Sequence, residues 1–447
     1  MKRIWAVLKR IETGLAGMHP AKLVLGGYLF YITAGWVVLC LPWVQKGPGA
    51  VALDSLFIST SAVSTTGLTP VSVADSYNFA GQLVILLLIQ LGGIGYMTLG
   101  SFVILSRKNE LPEVRSKVAR TVFSLPESFR IDKFIRSVIK FTLVIEAIGA
   151  VALYLIFRKA GVEDAAWSAV FHSVSAFCTA GFSLYNNSFE NFAGNFWLNT
   201  VIGILSLLGA IGFIVCVDVW RKVRGKVSSI TLTSKIILWC TFWLIVGGTM
   251  LMFVAEPSIQ AKPVDERLLE AFFQAMTAMT TVGFNTVGIG ALSKASLLLL
   301  VLLMVIGASP SGTGGGLKST TFTAILGVMR SAIRGQQEVK FWGRTVPLER
   351  VWTAVGSLGF YLASLVIGTY LLEMMETSGF VENLFEAASA LGTVGLSMGI
   401  TAGLTSIGKI IIILLMFCGR LGPLTLAIAL FTQHVVKAEE QDHDLAI

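Results

Sequence analysis

Long apolar runs separated by short polar segments set the plan of the chain. Runs at 23–44, 79–105, 138–157, 196–220, 235–254, 351–374 and 405–432, with another starting at Leu297, are about as long as the ~20 residues a helix needs to cross bilayer hydrocarbon. Shorter apolar runs lie between them at 53–67, 166–181, 268–283 and 382–395. These are too short to span and suit helices that enter and leave the membrane on one side. The order span, short helix, span occurs four times. The pattern predicts an all-α polytopic membrane protein with eight spans, in four pseudo-symmetric span–pore helix–span units around one central pore.

The short runs also repeat in detail. Each ends in a glycine: Gly67, Gly181, Gly283 and Gly395, spaced 114, 102 and 112 residues apart. Ten residues earlier stands Phe57, Phe171, Phe273 or Phe385; six earlier, a hydroxyl on Ser61, Ser175, Thr277 or Ser389. Ala62, Ala176, Ala278 and Ala390 precede the glycines by five, and Thr65, Thr179, Thr281 and Thr393 by two. The template F-x3-[ST]-A-x2-T-x-G-[LF] at so long a period marks four structural units, not a short solenoid.

Threonine, any residue, then glycine at the end of a short helix suits a cation selectivity filter. Glycine takes positive φ at little cost, carbonyl oxygens replace the ion's hydration shell, and the helix's negative C-terminal end favours a cation. The candidate potassium-binding residues are Thr65, Thr66 and Gly67; Thr179, Ala180 and Gly181; Thr281, Val282 and Gly283; and Thr393, Val394 and Gly395. A lone glycine in such a place more often permits close helix packing. Four copies in one register favour the filter.

Composition agrees with the membrane assignment: of 447 residues only 13% are charged and 54% are hydrophobic, whereas a soluble domain carries about 25% charged residues. The net charge of +8 does not point to nucleic acid, because the basic residues sit in loops between spans, where they set topology. They concentrate at the N-terminus, in 107–137, at 221–226 and in 331–350. Both termini are therefore expected in the cytoplasm, and the short helices on the outer side of the membrane. The expected division is a cytoplasmic segment 1–19 carrying a short interfacial helix, pore unit one 20–106, linker 107–137, unit two 138–226, unit three 227–330, linker 331–350, unit four 351–432 and tail 433–447. The five cysteines lie in apolar segments without paired spacing, which supports neither disulfides nor a zinc site.

The second spans share aligned glycines, Gly92, Gly209, Gly307 and Gly419, which read as close packing in the first two units. In unit three the run breaks at 309–319, with Pro310, Gly312, Gly314, Gly315 and Gly316, then Lys318. Irregular backbone at that depth must lie in the protein's own cavity, so the loop is expected beneath the filter. Unit four carries Arg420 in the same layer, and an intramembrane arginine marks function by default. Gly312, Gly314, Gly315, Gly316, Lys318 and Arg420 are the candidate gate.

The fourfold T-x-G segments, the break ending Gly314-Gly315-Gly316-Leu317-Lys318, and Gly419-Arg420 together resemble the Trk/Ktr/HKT superfamily of potassium transporters, over about residues 20–432. With eight spans the chain looks more like the bacterial KtrB subunit than the ten-span TrkH type. The resemblance implies a potassium-channel-like fold in the bacterial inner (plasma) membrane and a homodimer. It also implies a cytoplasmic ring of RCK-type subunits that carries the regulatory nucleotide, which this chain itself would not bind. Sodium-selective HKT members have serine in place of the first filter glycine; Gly67 here favours potassium. Flux coupled to sodium or protons, or a sodium-permeable relative on the same scaffold, stays open as an alternative.

Two other readings are weaker. A protease dyad of Ser311 and His172 would need both within hydrogen-bond reach, yet His172 falls on the outer side and Ser311 near mid-membrane or on the cytoplasmic half; His172 reads better as support for its pore helix. Without H-E-x-x-H or Walker motifs, the chain is not expected to be an enzyme. An alternating-access carrier often has inverted repeats, whereas two spans per unit keep all four parallel. Asp54, Glu270 and Glu382, each thirteen residues before its glycine, either gather cations at the mouth or favour helix N-termini. Glu146 stands alone in an apolar span, with a linker arginine as one candidate partner.

Overall fold

The structure, a computed structural model, describes residues 20–47, 50–95 and 131–431. The expected helix within 1–19, most of the 107–137 linker, the later part of the 79–105 span and the 433–447 tail lie outside the described residues. Helices follow in four groups. The first is α1 (Pro20–Leu39), α2 (Ala52–Ser64) and α3 (Phe79–Ile94). The second is α4 (Ile131–Lys159), α5 (Ala165–Phe177), α6 (Phe196–Ala210) and α7 (Phe213–Val223). The third is α8 (Leu232–Ala255), α9 (Val264–Thr280), α10 (Lys294–Val305) and α11 (Ser319–Ile333). The fourth is α12 (Leu348–Met375), α13 (Phe380–Gly392), α14 (Ser406–Leu421) and α15 (Pro423–Phe431).

The helices α1, α4, α8 and α12 are each long and apolar enough to cross a membrane. Their outer faces present bare apolar side chains, such as Leu143, Ile148, Val151 and Leu155 on α4, which lipid tolerates and water would not. Asn78, Asn195, Ser293 and Thr405 each accept a backbone N–H of the first turn of α3, α6, α10 or α14, a cap that satisfies amides otherwise orphaned.

The expectation of single straight spans over 196–220 and 405–432 is corrected. The axis turns by 98° between α6 and α7 and by 97° between α14 and α15. The turning residues, Gly212 and Gly422, have φ of 88° and 83°, a backbone state that suits glycine. Gly95, which ends α3, has φ 85°, and α10 gives way at Val305 to an irregular segment that runs to Lys318. The second crossings of groups two, three and four therefore break, not the third alone; the first is described only as far as Gly95.

Each short helix packs between its own neighbours, and each second crossing leans on the next group's short helix: α3 on α5, α6 on α9, α10 on α13, and α14 back on α2. The ring closes. It surrounds the C-terminal ends of α2, α5, α9 and α13. Beyond the ring, Asn186 Nδ2 donates to Asp75 Oδ2 (2.9 Å) and Ser72 Oγ to Asn186 Oδ1 (2.6 Å), tying the first two groups together. Bonds from Asn186 and Ser72 hold the Asp75 carboxyl below its usual range. A hairpin of β1 (Lys340–Phe341) and β2 (Arg344–Thr345), with Lys340 opposite Thr345, is seated on Gly327 of α11 through Phe341 and Val339.

Candidate functional site

The repeated template becomes a repeated piece of backbone. Each threonine leaves its helix in the left-handed region, with φ of 55°, 49°, 58° and 49° at Thr65, Thr179, Thr281 and Thr393. Few non-glycine residues adopt that state. What holds them is one hydrogen-bond scheme used four times. The threonine N–H donates to the alanine carbonyl three residues back (3.1 Å for Thr65, Thr179 and Thr393; 3.3 Å for Thr281), and the next N–H to the carbonyl of the serine or threonine before that alanine (2.8 Å in three segments, 3.1 Å from Val282). Ser61 Oγ and Ser389 Oγ go further and accept from the amides of Gly67 (3.0 Å) and Gly395 (3.1 Å). The four template phenylalanines are fully buried and pack the backs of the helices.

With their amides engaged behind them, the four segments meet one another. A side chain built at Gly67 would strike the carbonyl oxygen of Ala180; at Gly181, that of Val282; at Gly283, that of Val394; and at Gly395, that of Thr66. The contacts run once around and close. The twelve candidate ion-binding residues thus form one ring of backbone, in which any side chain at those four positions would have to push a neighbouring backbone carbonyl aside. All four glycines also have positive φ, between 65° and 97°.

The segment after α10 crosses the threonine end of this ring. Thr313 O lies 3.2 Å from Thr65 Oγ1 and Thr313 Oγ1 3.0 Å from Thr179 Oγ1. Side chains at Gly314 and Gly315 would collide with Thr281 Oγ1 and Thr393 Oγ1. Those last two hydroxyls are buried and have no hydrogen-bond partner. The loop is fixed mainly to the second group: Ser309 N donates to Ala210 O (3.0 Å), Thr313 N to Gly209 O (3.1 Å), Phe213 N to Ser311 O (3.2 Å) and Ile214 N to Ser311 Oγ (3.1 Å). A side chain at Gly312 would press on Ala210 O, while Gly316, at φ 72°, turns the chain toward α11.

Both intramembrane cations bind this loop. Lys318 Nζ donates to Gly314 O (2.8 Å). Arg420 reaches four groups on four segments of the chain: Thr313 O and Thr65 Oγ1 through Nη1, Gly92 O through Nη2 and Tyr28 Oη through Nε. No carboxylate pairs with it among the described residues. The aligned glycines Gly92, Gly209 and Gly419 let α3, α6 and α14 lie against the carbonyls of Val63, Phe177 and Leu391; Gly307 meets Gly315 O of the loop instead.

Other singled-out residues separate cleanly. His172 bonds to Ser168 O (2.7 Å) and Ser183 Oγ (3.0 Å) and stacks on Tyr185; it is not hydrogen-bonded to Ser311. Asp54 is paired with Lys409 (2.7 Å) and Glu270 with Lys262 (2.6 Å), and Glu382 lies against Gly379 at its helix start. Two of these three carboxylates thus have cations of their own. Glu146 accepts from Gln90 Nε2 at 3.0 Å, with Cys178 Sγ 3.8 Å away; Arg107, Arg115, Arg120 and Arg130 of the linker, candidate partners, lie outside the described residues. All five cysteines are free. Sequence patterns missed two buried side chains, Gln274 and Glu386, which each bond to the segment beyond their glycine.

Comparison with known proteins decides the family. Residues 39–438 match the family model TrkH, described as a cation transport protein. The chain belongs to this family. Similar members include the potassium/sodium uptake protein NtpJ of Enterococcus hirae, 35% identical over 95% of each chain. Ktr system potassium uptake protein B of Vibrio alginolyticus is 33% identical over 91% of this chain and 90% of its own. The crystal structure of the potassium transporter TrkH from Vibrio parahaemolyticus superposes with a TM-score of 0.73, covering 91% of this chain and 83% of that one at 21% identity, and shows the fold. Membership makes the chain a multi-pass membrane protein of a transporter family, and that, rather than any missing motif, sets the enzyme reading aside.

Proposed function

We propose that the chain is the potassium-conducting subunit of a membrane uptake system, with the T-x-G ring as its filter. The observation that carries this is the closed backbone ring with two unpaired hydroxyls, Thr281 and Thr393, at one end. Oxygens there offer a dehydrating cation the ligands it needs. The segment 309–319 beneath the ring is the gate, with Lys318 and Arg420 as its fixed cations. The described helical groups support four pore units with the boundaries given above. Relatives named as Ktr system proteins support a soluble partner. We assign that role to a cytoplasmic RCK-type ring carrying the nucleotide, below a homodimer of this chain in the bacterial inner membrane with both termini cytoplasmic.

The deciding experiment is flux in proteoliposomes with potassium, rubidium and sodium compared. Potassium and rubidium are expected to pass at least roughly tenfold faster than sodium, a difference of about 1.4 kcal/mol. Equal sodium flux would remove the filter's main consequence and favour the second reading, a sodium-permeable or ion-coupled transporter, for which the potassium/sodium name of the Enterococcus relative is the specific support. A second prediction concerns the partner. Purification from the native membrane at low salt should co-isolate a nucleotide-binding soluble subunit; its absence at both low and high salt would count against the assembly.

A further inference from the structure

The position nine residues before each filter glycine varies across the repeat: Ile58, His172, Gln274 and Glu386. It lies one helical turn before the serine or threonine that anchors the filter backbone, on a fully buried face. In three groups its side chain reaches past the glycine to hold the chain that follows. His172 meets Ser183 Oγ (3.0 Å) and accepts from Leu184 N (3.3 Å). Gln274 Nε2 donates to Thr286 Oγ1 (3.0 Å). Glu386 accepts from Ser397 Oγ (2.9 Å) and from Thr401 Oγ1, and Ser397 Oγ in turn accepts from Gly399 N (3.0 Å). In the first group Ile58 offers no polar atom.

We propose that Glu386 is a positioning residue that fixes the far end of the fourth filter segment through Ser397 and Thr401, and so sets how sharply the pore separates potassium from sodium. This rests on the filter reading above. Glu386 is the strongest of the brackets. Its carboxyl group is completely buried, no cation pairs with it among the described residues, and it holds two hydroxyls at once, Ser397 and Thr401, where Gln274 holds one. Ser397 is two residues beyond Gly395, so releasing it frees the Val394 and Gly395 carbonyls to move. A filter that must match one ion radius loses discrimination before it loses conduction. Gln274 shows that an amide fits the same position, which makes Glu386→Gln the conservative variant.

The test uses the full chain in proteoliposomes, measuring potassium and sodium flux for Glu386→Leu, Glu386→Gln and the partner-side variant Ser397→Ala/Thr401→Val, with Gly283→Ala alongside. Glu386→Leu should lower the potassium-to-sodium ratio at least about fivefold, in keeping with the loss of two buried hydrogen bonds and the hydroxyls it would leave unsatisfied. Glu386→Gln should recover most of the ratio. Adding Glu386→Leu to the partner-side pair should cost nothing further, since groups acting through one contact are not additive. If Gly283→Ala changes the ratio and neither Glu386→Leu nor the partner-side pair does, the positioning role is overturned while the filter stands. If none changes it, both readings fall. Should Glu386→Leu fail to fold, the partner-side pair alone decides, because its loss of discrimination or its retention reads the same contact from the other end.

Discussion

Gly283→Ala should abolish most potassium flux, lowering it at least about tenfold, which corresponds to roughly 1.4 kcal/mol, and it should blunt ion selectivity in whatever flux remains. A methyl at this site would strike Val394 O and come within 2.9 Å of Val394 C and 3.0 Å of Gly395 Cα. All of these are backbone atoms that cannot swing aside. The residue also has φ of 81°, which penalises any β-carbon regardless of space. Gly67→Ser meets a looser wall, with Ala180 O at 2.5 Å but Gly181 Cα at 3.1 Å. There the expected result is a widened segment that admits more sodium while potassium still passes. Gly356→Ala, on α12 with nothing within 4 Å, is the control and should leave both ions unchanged. Flux assays on equal amounts of folded protein decide the matter. Wild-type rates and selectivity in Gly283→Ala would mean that the ring is not the path.

The ring was legible in the sequence because every template position has a backbone task. Alanine and the residue before it receive the amides, threonine turns the chain, and glycine admits the neighbour's carbonyl. Such tasks tolerate few residue types and so repeat. The breaks in the second crossings were hidden by the same logic working against the reader. Gly92, Gly209 and Gly419 allow close packing, while Gly212 and Gly422, three residues after the last two, turn the chain. Composition within an apolar run does not separate a packing glycine from a turning one. Only where proline and several glycines cluster, at 309–316, did the break announce itself. Glu146 looked isolated because its partners are distant in sequence and uncharged: Gln90 comes from the first group, and Cys178 from the far end of the short helix in its own group. Gln274 and Glu386 went unnoticed because the template varies where they stand. The signal was present all the same: three polar residues of four at a position facing the core.

Arg420→Ala should raise potassium flux several-fold and weaken its dependence on the soluble partner. The arginine ties the loop, through Thr313 O, to α3 through Gly92 O, to α1 through Tyr28 and to the first filter segment through Thr65. Hydrogen bonds from a charged donor contribute about 1.5–3 kcal/mol each, so losing the Thr313 bond alone is enough to shift a closed loop toward open. Two mechanisms predict this increase, and Arg420→Lys separates them. If positive charge near the path is the barrier, lysine retains it and flux stays low. If the planar fork is a latch, lysine cannot hold the same acceptors at once, and flux rises part of the way. The geometry favours the latch, because the guanidinium spends its donors on carbonyl and hydroxyl oxygens of separate elements. Deleting residues from the Gly312–Gly316 run should act in the same direction, since Gly314 and Gly315 are what lie against Thr281 and Thr393. Selectivity should survive loop shortening, because the ring's own amide bonds remain. A folded loop-shortened protein with wild-type flux and full dependence on the partner would show that the gate lies elsewhere, with Arg420 serving only to brace α3 and the first filter segment.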